Sequence, residues 1–321
     1  MQELIQLSAG GLYCPAGDFF IDPCRPVKRA IVTHGHSDHA RSGSEGYLCA
    51  APGKPILHER LGADAVIETL AYGEKRKIHN AVVSLHPEGH ILGSSQVRIE
   101  REGRVCVVSG DYKVEPDPTC AEFEAVSCHT FVTESTFALP IYQWKQPEKV
   151  FAEINEWWAA NRGEGRNSLV MAYALGKAQR ILAGVDESTG PIYVHGAVKR
   201  FVEIYEAAGV KLPPVKYAEG REKIPGSTGA LIVAPPSVFG SPWLRKFQPL
   251  STAFASGWMQ VRGAKRRKAV DRGFVLSDHA DWTGLVRAVK ATGAERVIAM
   301  HGFKDGRAES EIPERREARN D

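Results

Sequence analysis

Hydrophobic residues follow two different rhythms along this chain. Up to Phe137 they come as short runs rich in β-branched residues and broken by Pro and Gly. The runs are LYC at 12–14, DFFID at 18–22, KIHNAVVSLHP at 77–87, SSQVRIERE at 94–102, RVCVVSGD at 104–111 and SCHTFVTESTF at 127–137. Runs of this kind are strands. PGKPILHERLGADAVIETL, at 52–70, offers a strand or turn and a short helix.

The rhythm changes at Gln146. Val150, Phe151, Ile154, Trp157 and Trp158 form an i, i+3, i+4, i+7 stripe behind Pro147, which predicts an amphipathic helix over 147–162. Three strand and helix pairs follow: SLVMAYA with LGKAQRILAGV, PIYVHG with AVKRFVEIYEAAG, and GALIVAPP with SVFGSPWLRKF. That alternation indicates a parallel sheet with covering helices. STAFASGWMQ is a further strand, after which GFVLSDHAD and RVIAMHG return to the manner of the first half. The expectation is one domain, 1–144 with 263–321, interrupted by an α/β insert over 145–262. The polar tail 311–321 reads as frayed.

Composition narrows the class. A chain of 321 residues, 43% apolar and 25% charged, has the makeup of an ordinary globular protein with volume for a buried core. A net charge of +3 means that a polyanion must be met by a local patch. No apolar run reaches membrane-helix length and the start has no signal-like core, so a cytoplasmic protein without membrane contact is expected. Six cysteines with no C-x-x-C pair read as reduced and structural, Cys24 lying nearest the candidate chemistry.

That chemistry begins at IVTHGHSDHA, residues 31–40, where His34, His36, Asp38 and His39 fall within six positions after an apolar run. On an extended segment His34 and His36 share a face, and a following turn lets Asp38 and His39 address a second point. Two imidazoles would serve one ion, and a carboxylate with an imidazole another. Zinc, iron or manganese suits such ligands, and a bridging carboxylate would hold two ions about 3.5–4 Å apart. Further ligands must come from other strand ends. His90 in PEGHILGSS, Asp111 closing RVCVVSGD and His301 closing RVIAMHG have that context.

Taken together, THGHSDHA, GHILGSS, VVSGDYK and the early IDP resemble the motif series of metallo-β-lactamase-fold hydrolases. TESTF, LGKAQ, SDHAD and AMHG resemble the additional motifs of the β-CASP nucleases, a branch of that fold. The resemblance spans nearly the whole chain and implies an α/β fold, the αββα sandwich with an inserted α/β β-CASP domain. It also implies two divalent metal ions, manganese or zinc with iron also admitted. One would be held by His34, His36, His90 and Asp111, the other by Asp38, His39, Asp111 and His301. Asp111 would bridge them. Asp22 would orient a histidine ligand, and His279, held by Glu134, would be the general acid. Asp22 before Pro23 also suits a plain turn, and Glu134 a solvated strand end.

Substrate contacts are expected from Ser94, Ser95, Lys113 and Lys177, and from the basic run Arg262, Lys265, Arg266, Arg267 and Lys268, which also fits a solvated face. His58, His79, His86, His129 and His195 are left outside the metal shell. Length and the pairing of TESTFALP with YALGKAQ look most like the bacterial DNA ligase-associated exonucleases. These imply 5′ to 3′ removal of nucleotides from single-stranded DNA in repair, and a link to an ATP-dependent DNA ligase and a helicase. His301, in place of valine, points instead to the RNA-processing members. An inactive nucleic-acid-binding subunit is the reading from another class.

Overall fold

The computed structural model describes residues 3–217, 228–261 and 270–300, together with short backbone stretches at 303–304 and 307–308. In chain order the elements are β1 (Gln6–Ser8), β2 (Gly11–Cys14), β3 (Phe19–Ile21), β4 (Arg29–Ile31), β5 (Gly46–Ala50), α1 (Lys54–Leu61) and β6 (Ile67–Leu70). Then come β7 (Arg76–Ile78), β8 (Ala81–Pro87), β9 (Ser95–Arg101), β10 (Arg104–Val108), β11 (Thr130–Glu134), α2 (Pro147–Gly163), β12 (Asn167–Met171) and α3 (Lys177–Gly184). The rest are β13 (Ile192–Val194), α4 (Gly196–Ala207), β14 (Lys216–Tyr217), β15 (Leu231–Ala234), β16 (Leu250–Ala255), β17 (Arg272–Phe274), α5 (Trp282–Thr292) and β18 (Arg296–Met300).

Two compact units divide the chain, Met1–Ile141 with His279–Asp321, and Tyr142–Asp278. The first holds two six-stranded sheets, β1-β2-β3-β4-β5-β6 and β18-β11-β10-β9-β8-β7. Strand alternation makes its layers. Ile31, Leu48 and Ala50 face Leu85, Val97, Ile99, Cys106, Val108 and Val132 in one core. Their neighbours point outward, so Ala30, Val32 and Cys49 take Leu57 of α1, while Val105, Val107 and Phe131 take Leu285 and Ala288 of α5. The unit is therefore helix, sheet, sheet, helix. Both sheets have hydrophobic residues on both faces because each is covered on both.

The second unit is a parallel sheet ordered β14-β13-β15-β12-β16-β17. Val150, Ile154 and Trp158 of α2, with Ile181 of α3 and Val198 of α4, pack on one face. The other face differs from expectation. SVFGSPWLRKF is two 3-10 turns, Pro236–Val238 and Pro242–Phe247, because Gly240 sits at φ +75° and Pro242 cannot continue an α-helix. Leu244 and Phe247 still reach the sheet from there.

A further correction concerns a strand. KIHNAVVSLHP is a hairpin and not one strand, since His79 at φ +50° turns the chain between β7 and β8. In the second unit, β17 continues the sheet by pairing with Ala253–Ala255. No disulfide links the six cysteines, all of which are among the described residues, and only Cys24 is exposed.

Trp158 anchors the second unit, fully buried with its indole N–H donating to the Gly229 carbonyl at 2.9 Å. Trp158→Ala is expected to cost about 3–5 kcal/mol through the cavity and the stranded carbonyl. Chemical denaturation checks this; a loss below about 1 kcal/mol would show that the site collapses around the deletion.

Candidate metal centre

β4 ends at Ile31, and one further ladder bond, Val32 N to Leu48 O at 2.9 Å, carries the chain to Thr33. The histidine motif then leaves the sheet. It closes a turn in which His39 N and Ala40 N donate to His36 O at 3.2 and 2.8 Å. Asp22 holds this turn in place. Its carboxylate accepts from Thr33 N at 2.8 Å and Thr33 Oγ1 at 2.6 Å, and lies 2.7 Å from His39 Nδ1. Asp22 itself sits at φ +43°, a left-handed conformation uncommon outside glycine that the three bonds hold in place.

His90 follows β8, Asp111 follows β10 and Glu134 ends β11, so neighbouring strands deliver their ends to one edge of the unit. Ser95 N donates to Thr33 O at 2.9 Å and ties the loop after His90 to the first motif. Gly89, at φ +75°, allows the close approach, since a Cβ there would stand 2.1 Å from Lys113 O.

One ligand atom each from His34, His36, His90 and Asp111 lies within 4.8 Å of the others. His34 Nε2 and His90 Nε2 stand 3.7 and 3.8 Å from Asp111 Oδ2, and His36 Nδ1 is 3.0 Å from His90 Nε2. Tetrahedral ligands about 2.1 Å from an ion are roughly 3.4 Å apart, so this spacing fits a cation at the centre. His34 Nε2 is buried with no hydrogen-bond partner, as a nitrogen reserved for a metal would be.

The other oxygen of Asp111, Oδ1, lies 3.6 Å from His39 Nε2, and Asp38 Oδ2 is 3.8 Å from the same nitrogen. Asp111 thus presents one oxygen to each group. The Asp38 side chain is 68% exposed and faces this second point from the solvent side. His301, the remaining expected ligand, lies outside the described residues.

Burial, then the imidazoles of His39 and His90, hold His34 well below the usual histidine range, in the neutral form that binds metal. Burial would depress His39 too, yet the Asp111 and Asp22 carboxylates hold it up to about 10. Asp111 works against burial: His279 and His39 keep its carboxyl well below the usual range.

Beside this cluster His279 Nδ1 is 2.8 Å from Glu134 Oε2, and its Nε2 is 3.8 Å from Asp111 Oδ2. Glu134 is buried and fixed by Tyr112 N, which donates to Oε1 at 2.6 Å. The imidazole is therefore aimed, and is itself partly open to solvent.

Four of the expected substrate contacts are buried. Ser94 is buried, its Oγ accepting from His90 N and Ile91 N at 3.3 and 3.2 Å, and Ser95 is fully buried. Lys113 pairs with Asp117 at 2.6 Å and Lys177 with Asp278 at 2.8 Å, both inside the protein. Each lysine is committed to a buried carboxylate, so these four side chains shape the interior and offer no open surface to a phosphate. Arg262, Lys265, Arg266, Arg267 and Lys268 lie outside the described residues. His195 caps α4, accepting from Ala197 N at 3.1 Å.

Sequence reasoning missed Thr33 and Glu88. Thr33 Oγ1 lies 3.1 Å from His34 Nδ1, and Glu88, wholly buried two residues before His90, has an oxygen 3.7 Å from the same nitrogen. A carboxylate at the end of an apolar strand was the available signal.

No protein-family profile matches the chain. A probable DNA ligase of Opitutus terrae is 30% identical over 295 residues, 91% of this chain and 28% of that protein. RNase aCSPSF2 of Saccharolobus solfataricus is 24% identical over 278 residues, covering 74% of this chain and 55% of the relative. Cleavage and polyadenylation specificity factor 73 of Drosophila melanogaster is 27% identical over 124 residues, 38% of this chain and 18% of its own length. The chain thus spans only part of each of these relatives. A crystal structure of a protein of unknown function from Enterococcus faecalis shares the fold, with a TM-score of 0.61 over 89% of this chain and 79% of that one at 13% identity. With the ligase-named and RNA-processing relatives matching this one chain, the chain belongs to the β-CASP branch of the metallo-β-lactamase fold.

Proposed function

We propose that this chain is a metal-dependent phosphodiesterase that removes nucleotides 5′ to 3′ from single-stranded DNA in repair, with residues 145–262 as its β-CASP insert. The observation that carries the reading is Asp111, whose two oxygens face two imidazole groups beside the Glu134–His279 pair. His34, His36, His90 and Asp111 would hold one ion, and Asp38, His39, Asp111 and His301 the other. Manganese or zinc is favoured by this donor set, with iron compatible; two such ions would supply charge stabilisation at the phosphoryl oxygens and an activated water.

The chain's own residues do the rest. Asp22 fixes the orientation of His39, as an imidazole ligand requires. Glu134 accepts from one nitrogen of His279 and leaves the other facing Asp111, where it would protonate the departing oxygen. Phosphate contacts are assigned to the basic run at 262–268. The Opitutus relative, named as a ligase and longer than this chain, supports a link to an ATP-dependent DNA ligase, and a helicase is proposed as a further partner.

A second reading, a ribonuclease, is favoured by the names of the Saccharolobus relative and of the fungal endoribonucleases ysh1, matched over 46% of the chain. One experiment separates the two. Single-stranded DNA and matched RNA, each labelled at either end, are incubated with the protein and manganese, zinc or iron(II). DNA shortened stepwise from its 5′ end is expected. Faster cleavage of RNA overturns the DNA assignment, and intact substrates under every metal overturn the nuclease.

A further inference from the structure

Two buried polar atoms without hydrogen-bond partners stand by the same ring. His34 Nε2 is one, and Glu88 Oε1, 3.7 Å from His34 Nδ1, is the other. We infer that Glu88 is a positioning residue for the metal centre, a buried carboxylate that joins the three segments carrying the ligands and balances the charge of an ion on His34. The inference rests on the metal-centre reading above.

The backbone already gathers these segments at Glu88. Its Oε2 accepts from Gly110 N at 3.0 Å, beside Asp111, and its carbonyl accepts from Lys113 N at 3.1 Å. Its own chain runs on to His90. Its free oxygen faces His34. Residue 110 leaves room for this: a Cβ there would stand 2.4 Å from Thr33 Oγ1 and 3.1 Å from Glu88 Oε1, so only glycine lets the three groups meet.

Proton placement agrees. The Thr33 hydroxyl donates to Asp22 at 2.6 Å, so at its 3.1 Å contact with His34 Nδ1 the ring nitrogen must be the donor. That assigns the hydrogen to Nδ1 and the lone pair to Nε2. With an ion held on Nε2, the Nδ1–H would be more acidic and would bond more strongly to the oxygens of Thr33 and Glu88 behind it. A carboxyl whose sole duty was to accept from Gly110 would cost more to bury than that one bond returns. A cation on His34 answers for both orphaned atoms together.

The test uses the full chain with Glu88→Gln, which keeps the shape and removes the charge, and Glu88→Asp, which keeps the charge and shortens the reach. Zinc and manganese affinity and stoichiometry are measured against a competing chelator, the cobalt(II) form is followed by its visible spectrum, and the metal-free proteins are melted. E88Q is expected to bind about 10–100-fold more weakly, with shifted cobalt bands and an unchanged metal-free melting midpoint. E88D is expected to lie between E88Q and wild type. Affinity within about threefold of wild type and an unaltered cobalt spectrum would overturn the inference, since outer partners of a ligand imidazole have larger effects. So would E88D binding more weakly than E88Q, or a fall in metal-free melting that accounts for the whole loss. If the wild type itself takes up no metal, it is the metal-centre reading that fails.

Discussion

Asp111→Ala and His34→Ala are each expected to lose metal and hydrolysis together and to keep the fold. Asp111 is the point on which the centre turns: its Oδ2 lies 3.7 to 3.8 Å from nitrogens of His34, His90 and His279, and its Oδ1 3.6 Å from His39. Removing it takes a ligand from both proposed ions and a carboxylate that faces four imidazoles. Loss of metal-derived stabilisation worth several kcal/mol corresponds to a fall on the order of a thousandfold or more in rate. The fold has little to lose. The sheets are held by the apolar core between them, to which neither Asp111 nor His34 belongs. Elemental analysis, single-turnover rates and melting of the metal-free variants check each part. Turnover near wild type in either variant would sink the two-metal mechanism.

His279→Ala is expected to separate chemistry from metal binding. A general acid contributes about 10²–10⁴ in rate, so the variant should slow by that factor at unchanged metal content. The geometry behind this is asymmetric. Glu134 takes one ring nitrogen at 2.8 Å, whereas the other stands 3.8 Å from Asp111, and the ring is partly exposed. The same three residues, Asp111, Glu134 and His279, also bring ligand atoms within 4.8 Å of one another. Metal stoichiometry therefore decides the role: one ion fewer in His279→Ala would make the histidine a ligand. A substrate with an activated leaving group should recover much of the lost rate, because it needs no proton.

Much of the first unit is legible in the chain. Alternation in RVCVVSGD separates Cys106 and Val108, which face the core between the sheets, from Val105 and Val107, which face α5. The stripe on α2 is likewise read directly, with Val150, Ile154 and Trp158 all buried. The misreadings share a cause. SVFGSPWLRKF has helical spacing, and its glycine and proline overrule it; SLHP and its preceding KIHN look continuous, and His79 turns them. Local backbone restrictions outweighed a hydrophobic pattern in each.

The basic residues carry the other lesson. Lys113 and Lys177 stand in the sequence where a phosphate contact is plausible, just after a ligand and at a helix start. Both are buried against Asp117 and Asp278. Asp278 is 101 residues from Lys177, so no local pattern announces the pair. Charge alone does not say whether a lysine meets solvent or a carboxylate.

By itself the sequence determined the kinds of ligand and their order, because imidazole and carboxylate at strand ends are a chemical statement that needs no coordinates. It also set the layers, since side-chain alternation on a strand is a property of the backbone. Only the tertiary structure decided which of these groups meet. His36 and His90 are 54 residues apart and His279 and Glu134 145, yet each pair comes within 3.0 Å. Strand pairing and the tilt of the turn after Thr33 set those distances. Glu88 shows the same limit most plainly: its place beside His34 depends on a glycine at 110 and a threonine at 33, on three segments that the sheets alone bring together.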